Sequence, residues 1–191
     1  HRLLRDGGTF YFLVPNVFAK TADLVVADHV NHFSESSLQG LLAGAGFAIR
    51  EIDGAAHNSA WVVAAEKSDS DGMAPTTNSV ADAINEMAEY WNEFGNRVRA
   101  FENVSNGEAA IYGSGFYGTF IHACLERPES VACFLDQNPH RQKQTLLEKP
   151  ILAHEKLPET ARRLYVGLNP RVAREELAVM DWPQELEVFF P

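Results

Sequence analysis

Three glycines and an aspartate near the middle of the chain have the spacing of a phosphate-binding turn. Gly113, Gly115 and Gly118 form a G-x-G-x-x-G pattern directly after an apolar run at residues 109–112. Asp136 ends a second apolar run, roughly 20 residues beyond the turn, where a carboxylate can accept hydrogen bonds from a ribose. This order predicts strand, glycine turn, helix and second strand, as in a mononucleotide-binding βαβ unit.

Each glycine has a separate physical role in such a turn. Gly113 can adopt the backbone conformation of a tight turn, and Gly115 allows a phosphate to approach the backbone. Gly118 allows the helix to pack closely on the strand, so that the helix N-terminus faces an anion. There is an alternative, because bulky aromatic residues follow Gly115 where a dinucleotide needs room. In that alternative the glycines only make a tight strand-to-helix turn, which holds no ligand.

Asparagines at the ends of two predicted strands could belong to the same site. Asn138 and Asn169 each follow a strand end, in DQNP and LNPR. Ligands of open α/β sheets bind outside the carboxyl ends of the strands, so one crevice could be lined by Gly115, Tyr117, Asp136, Asn138 and Asn169. Asn-Pro pairs are also ordinary turn formers, and that interpretation stays open.

The elements that must position these residues alternate between strands and helices. Ser34 is expected to cap a helix that ends at Gly46, and apolar residues at three- and four-residue spacing predict an amphipathic helix at 79–101, whose stripe we interpret as packing. A further helix is predicted at 172–180, besides the one after the glycine turn. Strands are predicted at 10–14, 48–52, 60–65, 109–112, 131–135, 150–152, 163–168 and 186–190.

A polar segment separates two predicted units. Residues 67–78, KSDSDGMAPTTN, have the composition of a linker between residues 1–66 and residues 79–191. The alternation of strands and helices predicts an α/β fold, with a mostly parallel sheet in the second unit. Because the chain enters a predicted strand within ten residues of His1, we expect it to begin inside a domain.

Charge and composition exclude several classes of protein. The 191 residues include 16 Lys and Arg against 26 Asp and Glu, and the formal charge of −10 would repel a nucleic-acid backbone. Cys124 and Cys133 lack the close pairing of a metal knuckle and are expected to be core residues in a reducing cytoplasm. No apolar run reaches the ~20 residues that span a bilayer, so we expect a soluble, cytosolic protein.

Two parts of the sequence resemble known methyltransferases. HRLLRDGGTFYFLVPN and ADHVNHFSESSLQGLLAGAGFAIREID resemble the carboxyl half of a class I S-adenosylmethionine-dependent methyltransferase. IYGSGFYGTFIHACL, FLDQNPHRQ, KPI and LYVGLNP are similar to the Rossmann-like carboxyl-terminal domain of the sugar C-methyltransferases, which act on nucleotide-linked deoxysugars. The resemblance implies a partial methyltransferase sheet at 1–66, a Rossmann-like, mostly parallel α/β domain at 79–191, and S-adenosylmethionine as cofactor of the intact protein.

The resemblance also implies a catalytic group. C-methylation of a ketosugar requires a base that removes a proton beside the carbonyl, and histidine suits this because its ordinary pKa is near neutrality. Asp28 and His29 stand where the family has an acidic residue followed by histidine. His29 is therefore the expected general base, Asp28 its neighbour or orienter, and His32 the competing candidate. His57 stands where the family turns toward its substrate cleft and is expected to contact substrate.

In the second unit, the glycine motif and the position of the strand ends, rather than the resemblance, give the expected substrate contacts: Gly113, Gly115, Tyr117, Gly118, Asp136, Asn138 and Asn169. For the histidines of the first unit, two structural alternatives and a metal site compete with the catalytic and substrate-contact roles. The same D-H-x-x-H-F-S motif in methyltransferases of other substrates uses its histidines to order the loop, with the phenylalanine packed ahead of the helix. A metal site in this motif is disfavoured because no fourth ligand stands at a familiar interval, and we expect no metal. His57 could be an ordinary hairpin residue.

The departures from the family lead to the functional hypotheses. The glycine-rich loop that binds the methyl donor, and the zinc-binding cysteine cluster of many sugar C-methyltransferases, have no counterpart in the sequence. We therefore expect a methyltransferase fragment without its donor site, inactive alone, with a nucleotide-linked sugar as partner and homo-oligomerisation left open. The alternatives are an NAD- or nucleotide-binding module of an oxidoreductase, although only residues 137–191 remain for a catalytic domain, and a non-catalytic scaffold.

Overall fold

The computed structural model describes residues 1–69, 78–104 and 107–191, without the side chains of Asn78 and Ser79. These residues divide into two compact units, His1–Ala88 and Glu89–Pro191. Both units are mixed α/β, as the alternating pattern predicts, and each is described separately below. Residues 70–77, most of the predicted linker, lie outside the described residues.

A three-stranded antiparallel sheet forms the centre of the first unit. Strands β1 (Thr9–Pro15), β2 (Phe47–Asp53) and β3 (Ala60–Lys67) lie in the order β1-β3-β2. Helix α1 (Glu35–Gly44) packs against β2. All three strands and the helix confirm predictions from the sequence, and each strand extends one or two residues beyond the predicted limits.

One face of this sheet forms the core of the first unit. Phe12 pairs with Val63 across the sheet, and Val14 pairs with Trp61. Because alternate residues of a strand share a face, these four side chains lie on the same face. Leu38 and Leu42 of α1 cover that face and are almost completely buried. The helix begins where Ser34 accepts a hydrogen bond from the backbone N–H of Ser37, in a reciprocal capping box.

Helix α2 (Asn78–Val104) confirms the predicted amphipathic helix and leads into the second unit. Its buried residues Trp91, Phe94 and Val98 are apolar and follow helical spacing, which supports the interpretation of the stripe as packing. Glu102, also fully buried, has its carboxylate hydrogen-bonded to the backbone N–H groups of Glu126 and Arg127, at 2.9 and 2.8 Å. The end of α2 is thereby fixed to a loop about 25 residues further along the chain.

The second unit contains a six-stranded, mostly parallel sheet in the order β6-β7-β5-β4-β8-β9. Only the pairing of β6 with β7 is antiparallel. The strands are β4 (Glu108–Tyr112), β5 (Val131–Leu135), β6 (Thr145–Leu146), β7 (Lys149–Leu152), β8 (Ala161–Val166) and β9 (Glu187–Phe189).

Two helices connect parallel strands of this sheet. Helix α3 (Phe116–Cys124) joins β4 to β5, and helix α4 (Ala173–Ala178) joins β8 to β9. From β4 the chain moves to β5 and β7 on one side, and then crosses to β8 on the other side of β4. The carboxyl ends of β4 and β8 therefore lie where the strand order reverses, the usual position of a ligand crevice in open α/β sheets.

The two central strands, β5 and β4, are apolar apart from Glu108 at the start of β4, as expected for strands covered on both faces. The neighbouring strand β8 contains a buried charged residue, Arg163, with 1% of its surface exposed. Its guanidinium donates hydrogen bonds to the backbone oxygens of Glu102 and Gly107, at 3.2 and 2.6 Å. These bonds satisfy part of the guanidinium in its buried position. Strand β8 begins and ends two residues before the predicted range 163–168.

The remaining differences from prediction concern short elements. The two-residue strand β6 was not predicted, since so short a strand carries no periodicity. Helix α4 occupies only the centre of the predicted range 172–180. Among the described residues, no helix combines the length and apolarity that a membrane span requires.

Candidate functional site

The loop that follows β1 carries the first group of polar residues. Asn16 is buried, and its side-chain oxygen accepts hydrogen bonds from the backbone N–H groups of Phe18 and Ala19, at 3.0 and 3.3 Å. Its own backbone N–H donates to Ser59 at 2.9 Å. This Asx turn fixes the direction of the chain as it leaves the carboxyl end of the strand.

Asp23 lies in the short 3₁₀ turn Thr21–Val25 and contacts both histidines of the D-H-x-x-H motif. Its side chain is fully buried. One carboxylate oxygen accepts a hydrogen bond from Nδ1 of His29, and the other lies 3.0 Å from Nδ1 of His32. Asp28, the expected orienter, is exposed, and the carboxylate that contacts His29 belongs to Asp23 instead.

The contact with Asp23 determines which nitrogen of His29 can act as a base. An ionised carboxylate only accepts hydrogen bonds, so Nδ1 of His29 carries a hydrogen and Nε2 of the neutral ring has the free lone pair. A buried carboxylate that holds an imidazole in this tautomer is the arrangement by which serine proteases prepare their general base. The ring of His29 is one quarter exposed and can reach a bound molecule.

His29 and His57 line one pocket of about 320 Å³ at the carboxyl end of β1. The volume is at the lower end of the ~300–1,000 Å³ typical of ligand pockets. His32 is not among the lining residues, so of the two motif histidines only His29 faces this space. The lining consists of Leu13, Val14, Pro15, Lys20, His29, His57, Ser59 and Ala60.

A backbone contact assigns the opposite tautomer to His57. The N–H of Ser59 donates a hydrogen bond to Nδ1 of His57 at 3.2 Å. Since Nδ1 accepts, the neutral ring carries its hydrogen on Nε2 and can donate a hydrogen bond from that atom. One pocket thus combines a histidine that can accept a proton with a histidine that can donate a hydrogen bond.

In the second unit, the glycine turn after β4 is packed against a further glycine that follows β8. A Cβ on Gly113 would lie 2.4 Å from the oxygen of Gly167, and a Cβ on Gly118 would lie 2.0 Å from the oxygen of Gly113. Gly113 also has a φ of +99°, which favours glycine. The expected turn and close-packing roles of Gly113 and Gly118 are thus visible in the backbone.

Gly115 differs from its neighbours in the turn. Of the atoms that the structure describes, a Cβ there would meet one within 4 Å, Nη1 of Arg141 at 4.0 Å, so packing against the described residues does not require this glycine. Arg141 donates hydrogen bonds from Nη1 to the backbone oxygen and the Oγ of Ser114, at 2.6 and 3.2 Å. The guanidinium therefore lies beside the N-terminus of α3, and Ser114 already accepts hydrogen bonds from one of its nitrogens.

Asp136 lies next to the glycine turn as predicted, and the turn itself satisfies its carboxylate. One oxygen accepts hydrogen bonds from the backbone N–H of Ser114 at 3.1 Å and from its hydroxyl. The other accepts from the N–H of Asn138 at 2.9 Å. Burial raises the pKa of Asp136, but these hydrogen bonds and the charge of Arg141 outweigh it and hold the pKa below its ordinary value.

A second pocket, of about 260 Å³, opens at the carboxyl ends of β4, β5 and β8. It brings Asp136 and Asn169 together, whereas Gly115, Tyr117 and Asn138 do not line it. Burial, with the nearby carboxylates of Glu176 and Asp136, raises the pKa of Tyr112 in this pocket to about 12. The lining residues are Tyr112, Gly113, Asp136, Gln137, Leu168, Asn169, Val172 and Glu176.

The two asparagines serve as turn formers. The side-chain oxygen of Asn138 accepts from the N–H of His140 at 3.0 Å, and that of Asn169 accepts from the N–H of Arg171 at 3.1 Å. A larger pocket of about 640 Å³ lies at the amino end of β8, lined in part by Trp182, and contains none of the expected site residues.

Sequence patterns had not indicated Asp23, Lys20 or Asn16. A charged residue inside the apolar run ADLVV is the one available signal for Asp23, since a buried carboxylate needs partners. Lys20 carries no comparable signal, because its place beside His29 depends on the Asx turn at Asn16.

No protein-family model matches the chain, and no curated protein matches it.

Proposed function

We propose that this chain is part of an S-adenosylmethionine-dependent methyltransferase whose first unit enolises a nucleotide-linked ketosugar, as the first step of C-methylation. The observation that carries the proposal is the buried Asp23 carboxylate on Nδ1 of His29, with the ring facing a pocket. A histidine held in this way accepts protons at Nε2, and enolisation requires such a base.

The proton transfer can be written with named atoms. Nε2 of His29 removes the proton from the carbon beside the sugar carbonyl, and the electrons of that C–H bond form a carbon–carbon double bond. The carbonyl π electrons move to the oxygen, which becomes an enolate. Asp23 holds the ring in the productive tautomer and balances the charge of the imidazolium. The product is a carbon nucleophile of the kind that C-methylation needs.

S-adenosylmethionine, which the resemblance implies, does not fit the residues described here. The pocket of His29 contains no glycine among its lining residues. The glycine turn of the second unit is closed by backbone contacts between Gly113, Gly118 and Gly167. We therefore assign no residue of this chain to the transfer of the methyl group.

A dinucleotide-binding oxidoreductase is the weaker alternative. The carboxylate of Asp136, which would bind a ribose, already accepts hydrogen bonds from Ser114 and Asn138. The adjoining pocket contains a second carboxylate, that of Glu176, where a pyrophosphate would be repelled. The open space beside Gly115 favours a nucleotide, since a Cβ there would meet, among the described residues, the side chain of Arg141 alone.

Hydrogen–deuterium exchange tests the proposed function without a methyl donor. The chain is incubated in D₂O with a nucleoside-diphosphate ketosugar, and NMR follows the loss of the proton beside the carbonyl. We expect exchange above the rate in buffer, and a loss of about 10²- to 10⁴-fold in His29→Gln. His32→Gln is the matched control, because His32 contacts the same carboxylate but does not line the pocket.

Two outcomes would contradict the proposal. One is exchange no faster than in buffer at a concentration of sugar that demonstrably binds, which would favour a scaffold. The other is equal exchange in the wild-type chain and His29→Gln. Binding of NAD by the second unit, together with no binding of the sugar, would instead support the oxidoreductase alternative.

A further inference from the structure

Enolisation places a negative charge on the carbonyl oxygen, so the pocket of His29 needs a group that stabilises an oxyanion. Hydrogen-bond donors and cations that are already aimed at the developing charge supply much of the rate in such reactions. His29 cannot be that group, because it removes the proton. Among the other lining residues, Lys20 carries a cation and both His57 and Ser59 carry neutral donors. Lys20 suits the role because it is the cation of this lining, and His57 suits it because a backbone contact fixes its tautomer.

Lys20 is held beside the base by its backbone. Its N–H donates to the oxygen of Asn16 at 3.2 Å, and its oxygen accepts from the N–H of Asp23 at 2.8 Å. The residue is therefore connected through one peptide hydrogen bond to the carboxylate-bearing residue that orients His29. Its position relative to the base is set by the same short turn.

The charge of Lys20 is not neutralised within the pocket. No ion pair involving Lys20 occurs in the described part of the chain. The pocket lining contains no aspartate or glutamate, although the whole chain has a formal charge of −10. The 260 Å³ and 640 Å³ pockets of the second unit, by contrast, are lined by carboxylates. The pocket of His29 thus offers a developing anion a more favourable environment than these two.

His57 contributes a neutral donor. Since the N–H of Ser59 occupies Nδ1, the hydrogen of the neutral imidazole is on Nε2. A neutral imidazole can donate to a carbonyl oxygen and strengthen that bond as the oxygen becomes an anion, the role that histidine has in triosephosphate isomerase. The Ser59 contact therefore prepares His57 to donate rather than to accept.

We infer that the Lys20 ammonium and Nε2–H of His57 together form the oxyanion site of this pocket and stabilise the enolate oxygen while His29 takes the proton. The inference rests on the proposed function and names the groups that stabilise the enolate oxygen in that reaction. The proton moves from carbon to Nε2 of His29, and the negative charge on oxygen is shared by two donors without transfer of a further proton.

The exchange assay tests this assignment when rates are measured as a function of sugar concentration. We expect Lys20→Met and His57→Phe each to lower the maximal exchange rate by about 10²- to 10³-fold, the usual effect of removing one oxyanion donor. The sugar concentration at half-maximal rate should change by less than about threefold, because the lost interaction strengthens only in the transition state.

Conservative variants separate a donor from a merely structural residue. Lys20→Arg keeps a cation and His57→Gln keeps an N–H donor, so both should recover part of the rate. Lys67→Met is the matched control for charge, since Lys67 lies in the same unit, pairs with Asp6 and does not line the pocket. Its exchange rate should equal that of the wild-type chain, and thermal unfolding should show that all variants fold.

Three results would overturn the inference in distinguishable ways. A raised half-saturation concentration with an unchanged maximal rate in Lys20→Met would mean that Lys20 binds a phosphate of the substrate. Unchanged kinetics in both loss-of-donor variants, while His29→Gln is inactive, would refute the oxyanion site and leave the proposed function in place. Absence of exchange in the wild-type chain would refute both.

Discussion

The substitution Asp23→Asn should abolish the base function of His29 while leaving the loop in place. Asparagine has nearly the same shape as aspartate, but its amide nitrogen can donate a hydrogen bond to Nδ1 of His29. That bond would favour the tautomer with hydrogen on Nε2, and this nitrogen could then no longer accept a proton. The perturbation therefore acts on a proton position rather than on packing.

The expected magnitude follows from the contacts of Asp23. The corresponding change in a serine protease lowers turnover by about 10⁴-fold through the wrong tautomer, and we expect a loss of 10³- to 10⁴-fold here. This corresponds to about 4–5.5 kcal/mol in the exchange barrier. The weakened hydrogen bonds to His29 and His32 should cost about 1–3 kcal/mol in unfolding free energy.

Deuterium exchange of the ketosugar measures the rate, and ¹⁵N NMR of the histidine rings measures the tautomer. In the wild-type chain the spectrum should show hydrogen on Nδ1 of His29, and in Asp23→Asn hydrogen on Nε2. Asp6→Asn is the control, because it removes the same charge from a fully exposed side chain in the same unit. An exchange rate for Asp23→Asn within about threefold of the wild-type rate, in a folded protein, would refute the role assigned to Asp23.

Three further predictions concern the second unit. Gly118→Ala should lower the unfolding free energy of this unit by about 1–3 kcal/mol or more in chemical denaturation, because the new Cβ would overlap the backbone oxygen of Gly113. The lowered pKa of Asp136 stabilises the fold above pH ~4, and that contribution is lost as pH falls through the folded-state pKa. Ser114→Ala removes one of the hydrogen bonds that lower this pKa, so the free energy of unfolding should decrease less steeply below pH ~4 in the variant than in the wild-type chain. Burial, with the charge of Lys149 as a smaller cause, lowers the pKa of His122. Stability should therefore fall as pH decreases below the ordinary histidine pKa of ~6.5 toward the folded-state pKa, and His122→Phe should remove that dependence in thermal melts.

The alternation of apolar and polar residues made most of the fold predictable. Strand β5 occurs at the predicted residues, and α1 begins at its predicted cap, because local periodicity and capping chemistry determine both. The burial of Arg163 in β8 was not predictable. Its guanidinium donates hydrogen bonds to backbone oxygens of Glu102 and Gly107, which are distant in sequence.

The candidate site was predictable only for its histidines. His29 and His57 were singled out, and they do line one pocket, although 28 positions separate them. The partner of His29 could not be chosen from sequence, because Asp28 is adjacent in the chain while Asp23 is adjacent in space. Likewise, spacing placed Asp136 beside the glycine turn but did not reveal that Ser114, within the motif itself, would occupy its carboxylate.

The contacts among Gly113, Gly118 and Gly167 limit which substitutions these glycines can undergo in evolution. Each of the three positions lacks room for even a methyl group, and the obstacle in each case is backbone of another of the three glycines. A single substitution would force a strand and a helix to move apart together, so these glycines cannot drift independently. Gly113 and Gly118 would therefore be retained in a descendant that had lost every nucleotide, whereas Gly115 could change, so the first and last glycines of the motif report how a helix packs on a sheet and only the middle one reports space for a ligand.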